Sequence, residues 1–272
     1  WIWLGCAVSG TWIAVIHLST ARAPLFDRRL FMDLNFSISL IFMLIVGAVM
    51  FATMALLPPM LQGLFSYDVI DTGMVLMPRG IGVLISMQLS GLLMRRGVDA
   101  RWLVAAGFLI GAWSLHEMAL WSLQTDRWHF LATGLFQGLI IGLVFIPLNT
   151  VAFATLPPHL RTDGSSLLNL SRSVGSSVGI SVVMTLLARD IQRNHAELAE
   201  NITPNIATMA DLSTLDRFQQ LGQAGLAIAD AEVNRQAAMI SYLNDFELMK
   251  WLSLASIPLV LLMRRSPRYD RA

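Results

Sequence analysis

The sequence predicts an all-α polytopic membrane protein: a six-helix bundle preceded by one further transmembrane helix. Three observations carry that reading. Seven apolar stretches, at residues 2–18, 37–57, 73–94, 102–122, 129–151, 165–187 and 246–263, each come near or exceed the roughly 20 residues that cross a ~30 Å hydrocarbon core. Their loops alternate in charge. The loops 22–29, 95–101 and 159–161 and the tail 264–271 hold Arg22, Arg28, Arg29, Arg95, Arg96, Arg101, Arg161, Arg264, Arg265, Arg268 and Arg271, whereas 58–72 and 123–128 hold only Arg127 beside Asp68, Asp71 and Asp126. Only 14% of residues are charged and 55% are hydrophobic, where a soluble domain carries about 25% charged residues. Arginine-rich short loops stay in the cytoplasm, so the C-terminus is expected there, in a multi-pass chain of a bacterial inner membrane.

Along the chain, residues 1–18 are expected to form the leading transmembrane helix, and 19–36 a cytoplasmic segment in which Asp27, Arg28 and Arg29 alternate with apolar residues, as in a short interfacial helix. Residues 37–187 hold the first five helices of the bundle. A polar segment, 188–245, follows on the periplasmic side and is partly helical, because 221–243 keeps apolar residues at helical spacing. The last span, 246–263, leads to a cytoplasmic tail, 264–272. Seven crossings put residue 1 outside the cytoplasm, and the chain opens on Trp1 within an apolar run; the expected context is the C-terminal part of a longer polypeptide, the alternative being a seven-span protein with an external N-terminus.

Six spans divide into two triplets. In the middle span of the first, Arg79, Gly82, Ser86 and Ser90 share a helical face; in the middle span of the second, Ser165, Asn169, Arg172 and Ser176 do so. Each arginine lies about two turns inside its span, entered from opposite sides, as inverted repeats require. A charge within a span costs about 2.5–3.5 kcal/mol and therefore faces a bundle interior, a cavity or the headgroups. Arg172 and Arg79 are the principal candidates, with Asn169, Ser176, Asn149 and Gln88 as further cavity candidates. Gln88 and Gln137 can equally bond between helices.

Small residues at fourth positions let helices approach closely. Gly134, Gly138 and Gly142 in the fifth span, and Gly175 and Gly179 beside Arg172, are expected to be such packing sites, with Pro147 kinking the fifth span next to Asn149. Asp245 and Lys250 read as interface anchors at the outer end of the last span. Chemistry is scarce. Cys6 stands alone, the five histidines have no metal-ligand spacing, and neither a zincin motif, a phosphate loop nor a nucleophile elbow occurs. No metal, cofactor or catalytic residue is expected. The net charge of +1 is sorted among loops into no basic patch, and no nucleic-acid partner is expected.

The loop Gly91-Leu-Leu-Met-Arg95-Arg96-Gly97-Val-Asp99-Ala-Arg101 resembles the cytoplasmic loop motif of the major facilitator superfamily, although Arg95 stands where an Asp is usual and the segment is one residue longer. Pro24 to Phe31, Leu76-Met-Pro78-Arg79-Gly80, Gln137 to Leu148, Ala154 to Pro158 and Asn169 to Gly179 resemble the fourteen-helix drug:proton antiporter branch. That resemblance implies a C-terminal bundle of 3+3 inverted repeats preceded by a linker helix. It also implies export of amphipathic organic molecules in exchange for protons by alternating access. The implied partners are the N-terminal bundle of the same polypeptide, a periplasmic adaptor, an outer-membrane channel and the lipid bilayer. Coupling carboxylates are implied mainly in the N-terminal bundle, and Gly91, Arg95, Arg96, Asp99 and Arg101 are implied to form the conformational loop motif. A scaffold subunit without a polar cavity, or an integral-membrane enzyme, is the alternative.

Overall fold

In a computed structural model the chain is described over residues 26–209 and 223–263, together with Gly5, Ser9, Gly10, Trp12, Ile13 and Ile16 of the expected first span. The rest of that span, Arg22, Asp211, Asp216, Arg217 and the tail arginines lie outside the described residues. Among the latter there is no strand. A short helix, α1 (Arg28–Met32), starts where the Asp27 carboxylate accepts the Arg29 N–H at 2.9 Å. Six long helices follow: α2 (Leu34–Leu64), α3 (Val69–Arg95), α4 (Ala100–Ala119), α5 (Arg127–Ala154), α6 (Arg161–Met209) and α7 (Gln223–Ser256). Asp33, Asp68 and Asp99 cap α2, α3 and α4 through their side chains, satisfying N–H groups that a first helical turn leaves free.

Five of these helices, α2 to α6, are long and apolar enough to cross a membrane; the chain is a multi-pass membrane protein. The helices outrun the apolar stretches that announce them. The expected loop 58–72 narrows to 65–68, because α2 continues past Pro58 and Pro59. Helix α6 continues past residue 187 into the expected polar segment and runs 49 residues without interruption. At 1.5 Å per residue that is about 74 Å, more than twice a bilayer core. In place of one apolar span, 246–263, the chain has a helix ending at Ser256 and a 3₁₀ segment, Pro258–Leu262; Pro258 lacks the N–H that an α-helix would use.

Packing follows the two triplets. Helix α2 lies on α6 and α5 on α3, so the first helix of each triplet grips the middle helix of the other. Helices α4 and α7 pack on each other and on α5 and α2 respectively. Phe42 and Phe108 stack at 5.4 Å between α2 and α4, within a core that also buries Phe36, Met60, Leu115 and Leu148. At the end opposite the Gly97 turn, Phe130 meets Phe65 at 4.9 Å and Trp121 at 4.6 Å, tying three helices together. Only 22% of the most apolar window of α3, and 17% of that of α6, is buried, against 61%, 50% and 56% for α2, α4 and α5. The open face of the bundle therefore runs along α3 and α6.

Candidate functional site

The glycines set the distance at which the arginine-bearing helices sit. A Cβ on Gly138 would collide with the Arg79 carbonyl and lie 3.0 Å from the Cα of Gly82; one on Gly82 would strike the Leu135 carbonyl. One turn further, Gly142 rests on the Ser86–Met87 backbone, its N–H donating to Ser86 Oγ at 3.2 Å and its carbonyl accepting from Ser90 Oγ at 2.7 Å. The other triplet repeats the device. Gly47 admits the Arg172 carbonyl, Gly175 the Leu44 carbonyl and Gly179 the backbone of Ala48, while Ser171 Oγ donates to the Leu40 carbonyl at 2.7 Å. In both crossings the carbonyl of the intramembrane arginine is seated on a glycine of the partner helix.

Of the expected packing glycines, Gly138, Gly142, Gly175 and Gly179 sit in backbone contact, whereas Gly134 has only the Val75 carbonyl, 4.0 Å from where its Cβ would stand. Gly47 escaped the sequence reading because it has no glycine partner at i±4. Gly107 and Gly111 do have that spacing and press on Val144 and Ile140, so the small-residue rule applied to α4 would have found them. The α5 kink residue Pro147 is buried. Asn149 Nδ2 donates to the Phe145 carbonyl at 2.7 Å, one residue pair away from the Leu143 carbonyl that a proline at 147 deprives of its helical donor.

Both arginines reach one groove. Arg79 and Arg172 line it together with Val46, Met50, Phe51 and Met54 of α2, Val83 of α3, and Ile141 and Phe145 of α5; its volume is about 340 Å³. Arg79 Nη2 donates to the Met50 carbonyl at 3.2 Å, while the Arg172 guanidinium lies 5.8 Å from the centre of the Phe145 ring. Each arginine thus leans from a middle helix toward a first helix of the bundle, α3 to α2 and α6 to α5. Arg172 Nη2 also donates to Asn169 Oδ1 at 3.2 Å, and its Nε is buried without a partner. No carboxylate pairs with either arginine among the described residues. Two cations without a carboxylate partner in an apolar groove are costly; the Met50 carbonyl, Asn169 and the Phe145 ring offset part of that cost, and an anion reaching the groove would offset more.

The remaining candidates divide. Asn169 is exposed and touches the groove only through Arg172; Ser176 Oγ donates to the Ser173 carbonyl of its own helix at 2.8 Å. Gln88 is exposed on α3 and is not among the groove residues. Gln137 is buried instead, its Nε2 donating to Met118 Sδ at 3.7 Å. In the loop motif, Gly97 holds φ +86°, a left-handed conformation that favours glycine; its N–H meets the Met94 carbonyl and that of Val98 the Leu93 carbonyl, closing α3 in a Schellman turn. Gly91 is in open space, and Arg95 and Arg96 are exposed. The loop's charge pair joins Asp99 to Arg101 at 3.6 Å, so the pair sits within the motif even though its usual Asp is replaced by Arg95. Asp245, expected at an interface, is 1% exposed. Helices α6 and α7 pack together as a hairpin, with α4 and α2 also against α7, so Asp245 at its foot is enclosed by protein.

Comparison with known proteins places these features in a family. The model of the Major Facilitator Superfamily matches residues 9–180. The multidrug export protein EmrB of Escherichia coli (strain K12) is 29% identical over 263 residues, covering 94% of this chain and 49% of its own length. The fatty acid resistance protein FarB of Neisseria gonorrhoeae is 30% identical over 248 residues, with 89% and 48% covered. The chain spans about half the length of the curated relatives it matches. Among solved structures, a bacterial homologue of the human lysosomal transporter Spinster, in an inward-facing and occupied conformation, superposes with a TM-score of 0.58 at 19% identity, over 89% of this chain and 52% of that one; the likeness is one of fold. With a bundle of two exchanged triplets and a family match over more than half its length, this chain belongs to the Major Facilitator Superfamily.

Proposed function

We propose that this chain is the C-terminal half of a secondary active exporter of amphipathic organic compounds, driven by proton antiport through alternating access in a bacterial inner membrane. The observation that carries the reading is the convergence of Arg79 and Arg172 on one apolar groove. The groove lies between α2, α3, α5 and α6, and two of these helices form the open face that an N-terminal bundle would cover. An apolar wall for a hydrophobic body with two guanidinium groups for an acidic end suits an amphipathic anion. Names of relatives support this: one is a multidrug export protein and another a fatty acid resistance protein. A periplasmic adaptor and an outer-membrane channel complete the proposed export path. A scaffold subunit would have no use for paired interior arginines.

The test is made in the full-length exporter. Arg172→Ala should abolish resistance to an acidic amphipath while leaving membrane abundance near normal, and Arg172→Lys should restore only part of it, since a point charge cannot replace a planar two-pronged donor. Export of a neutral ester of the same compound should survive Arg172→Ala. Equal loss of acid and ester would mean that Arg172 pairs with a carboxylate of the N-terminal bundle; full activity toward the acid would refute the site.

A further inference from the structure

The foot of the α6–α7 hairpin encloses a carboxyl group that the groove does not use. Asp245 is 1% exposed, and its Oδ2 is buried with no hydrogen-bond partner. It stands on α7 between Tyr242, also buried, and Phe246, whose ring packs on Trp121 at 5.8 Å. The groups that could balance its charge are few. Helix α6 brings another acid, Asp190, close enough to act on it. Helix α4 brings His116 and Glu117, of which His116 acts on Glu247, and α2 has no ionisable residue along its length. On α7 itself Lys250 is engaged by Glu247. Arg189 is exposed and lines a shallow depression formed by α6 alone. No cation pairs with Asp245 among the described residues.

A buried, unpaired carboxylate beside a second acid is strongly disfavoured, and protonation removes the cost. Burial, and then the charge of Asp190, raise the Asp245 pKa to about 7. A file of polar groups leads outward from it along the hairpin: Asn194 Nδ2 donates to Ser241 Oγ at 3.0 Å, and beyond them His195 Nε2 meets Asp230 Oδ1 at 3.0 Å. Asp190 and Asn194 are one turn apart on α6, as Asp245 and Ser241 are on α7.

We propose that Asp245 is a proton-binding site of this half of the transporter, loaded from the hairpin side along the Asn194–Ser241 file. The step is a single transfer: a hydronium ion gives its proton to a carboxylate oxygen of Asp245 and leaves as water, and the reverse occurs when a change of packing admits water to the foot of the hairpin. This inference rests on the transport reading and gives the exporter a proton carrier in its C-terminal bundle.

The experiment uses the full-length exporter in liposomes. Infrared titration should show a protonated-carboxyl stretch that disappears as pH rises through neutrality, and Asp245→Asn should abolish that band. Export by Asp245→Asn should lose its dependence on external pH across the same range. A band that survives Asp245→Asn, or an unchanged pH profile of export, would overturn the inference. If Asp245→Asn does not accumulate, Asp190→Asn serves: losing the neighbouring charge should shift the band's midpoint to lower pH, and an unmoved midpoint is equally fatal. The band reports the proton whether or not the protein transports, so failure of reconstituted wild type to export would refute the transport reading and leave the titration standing.

Discussion

Replacing Gly138 by Ala adds one methyl group at the tightest point of the α3–α5 crossing. The new Cβ would overlap the Arg79 carbonyl oxygen and stand 3.0 Å from the carbonyl carbon and from Gly82 Cα. None of these is a flexible side-chain end, so relief requires the helices to separate by about 1 Å, and overpacking of this kind costs about 1–3 kcal/mol. Separation also stretches the bonds of Gly142 to Ser86 and Ser90, each contributing about 1 kcal/mol. The expected loss is about 3–5 kcal/mol, with Arg79 displaced from the groove. Gly73, also on α3, provides the control: a Cβ there meets nothing within 4 Å, and Gly→Ala within a helix is favourable by about 0.5–1 kcal/mol. Heating the detergent-solubilised full-length protein and measuring the surviving monodisperse fraction by size exclusion reads both. Gly138→Ala should melt well below wild type and Gly73→Ala at or slightly above it. Equal melting temperatures for Gly138→Ala and wild type would refute the backbone contact.

Gly175→Ala should destabilise the α2–α6 crossing as strongly as Gly138→Ala does α3–α5, because its Cβ would strike the Leu44 carbonyl; the same melting assay checks it. Gly97→Ala should cost about 1–2 kcal/mol from left-handed strain with its surroundings open, and Gly97→Asn should recover part of that loss. Cysteines at Val98 and Ala196, both exposed, should be labelled from opposite sides of the membrane; labelling of both from the same side would refute the expected topology. Asp245, raised from 3.8 to about 7, keeps its proton in the folded protein where the unfolded chain has lost it. Stability should therefore fall as pH rises from about 4 to about 7 and level off above. Asp245→Asn should remove that slope and melt higher than wild type at alkaline pH.

What was legible in the sequence was whatever membrane insertion makes expensive. An arginine within an apolar run has to face inward or snorkel, so Arg79 and Arg172 could be singled out before any geometry was known, and their matching positions pointed to two inverted triplets; the exchange of first and middle helices between the triplets was not legible. Glycines at i, i+4 marked Gly138, Gly142, Gly175 and Gly179 for a similar reason. The helical hairpin was only half visible: outside the bilayer a polar helix gains nothing from hydrophobicity, so residues 188–209 carried no hydropathy signal although α6 passes straight through them. Asp245 was misread because, three residues before the apolar run resumes in earnest, it has the look of a headgroup anchor; only the packing of α6, α4 and α2 around α7 encloses it. Gln88 stands exposed on α3, away from the Gly82–Ser86–Ser90 stripe that packs on α5.

The uninterrupted course of α6 gives the groove a mechanical reach. From Arg172 to Glu200 the helix extends about 42 Å as one rod. Each degree by which α6 tilts about the point where Arg172 meets Phe145 carries Glu200 sideways by about 0.7 Å. A tilt too small to disturb the Gly47 and Gly175 contacts by more than a few tenths of an ångström is thereby magnified into a displacement of several ångströms at the far end of the rod, and a force applied there returns to Arg172 with the same leverage.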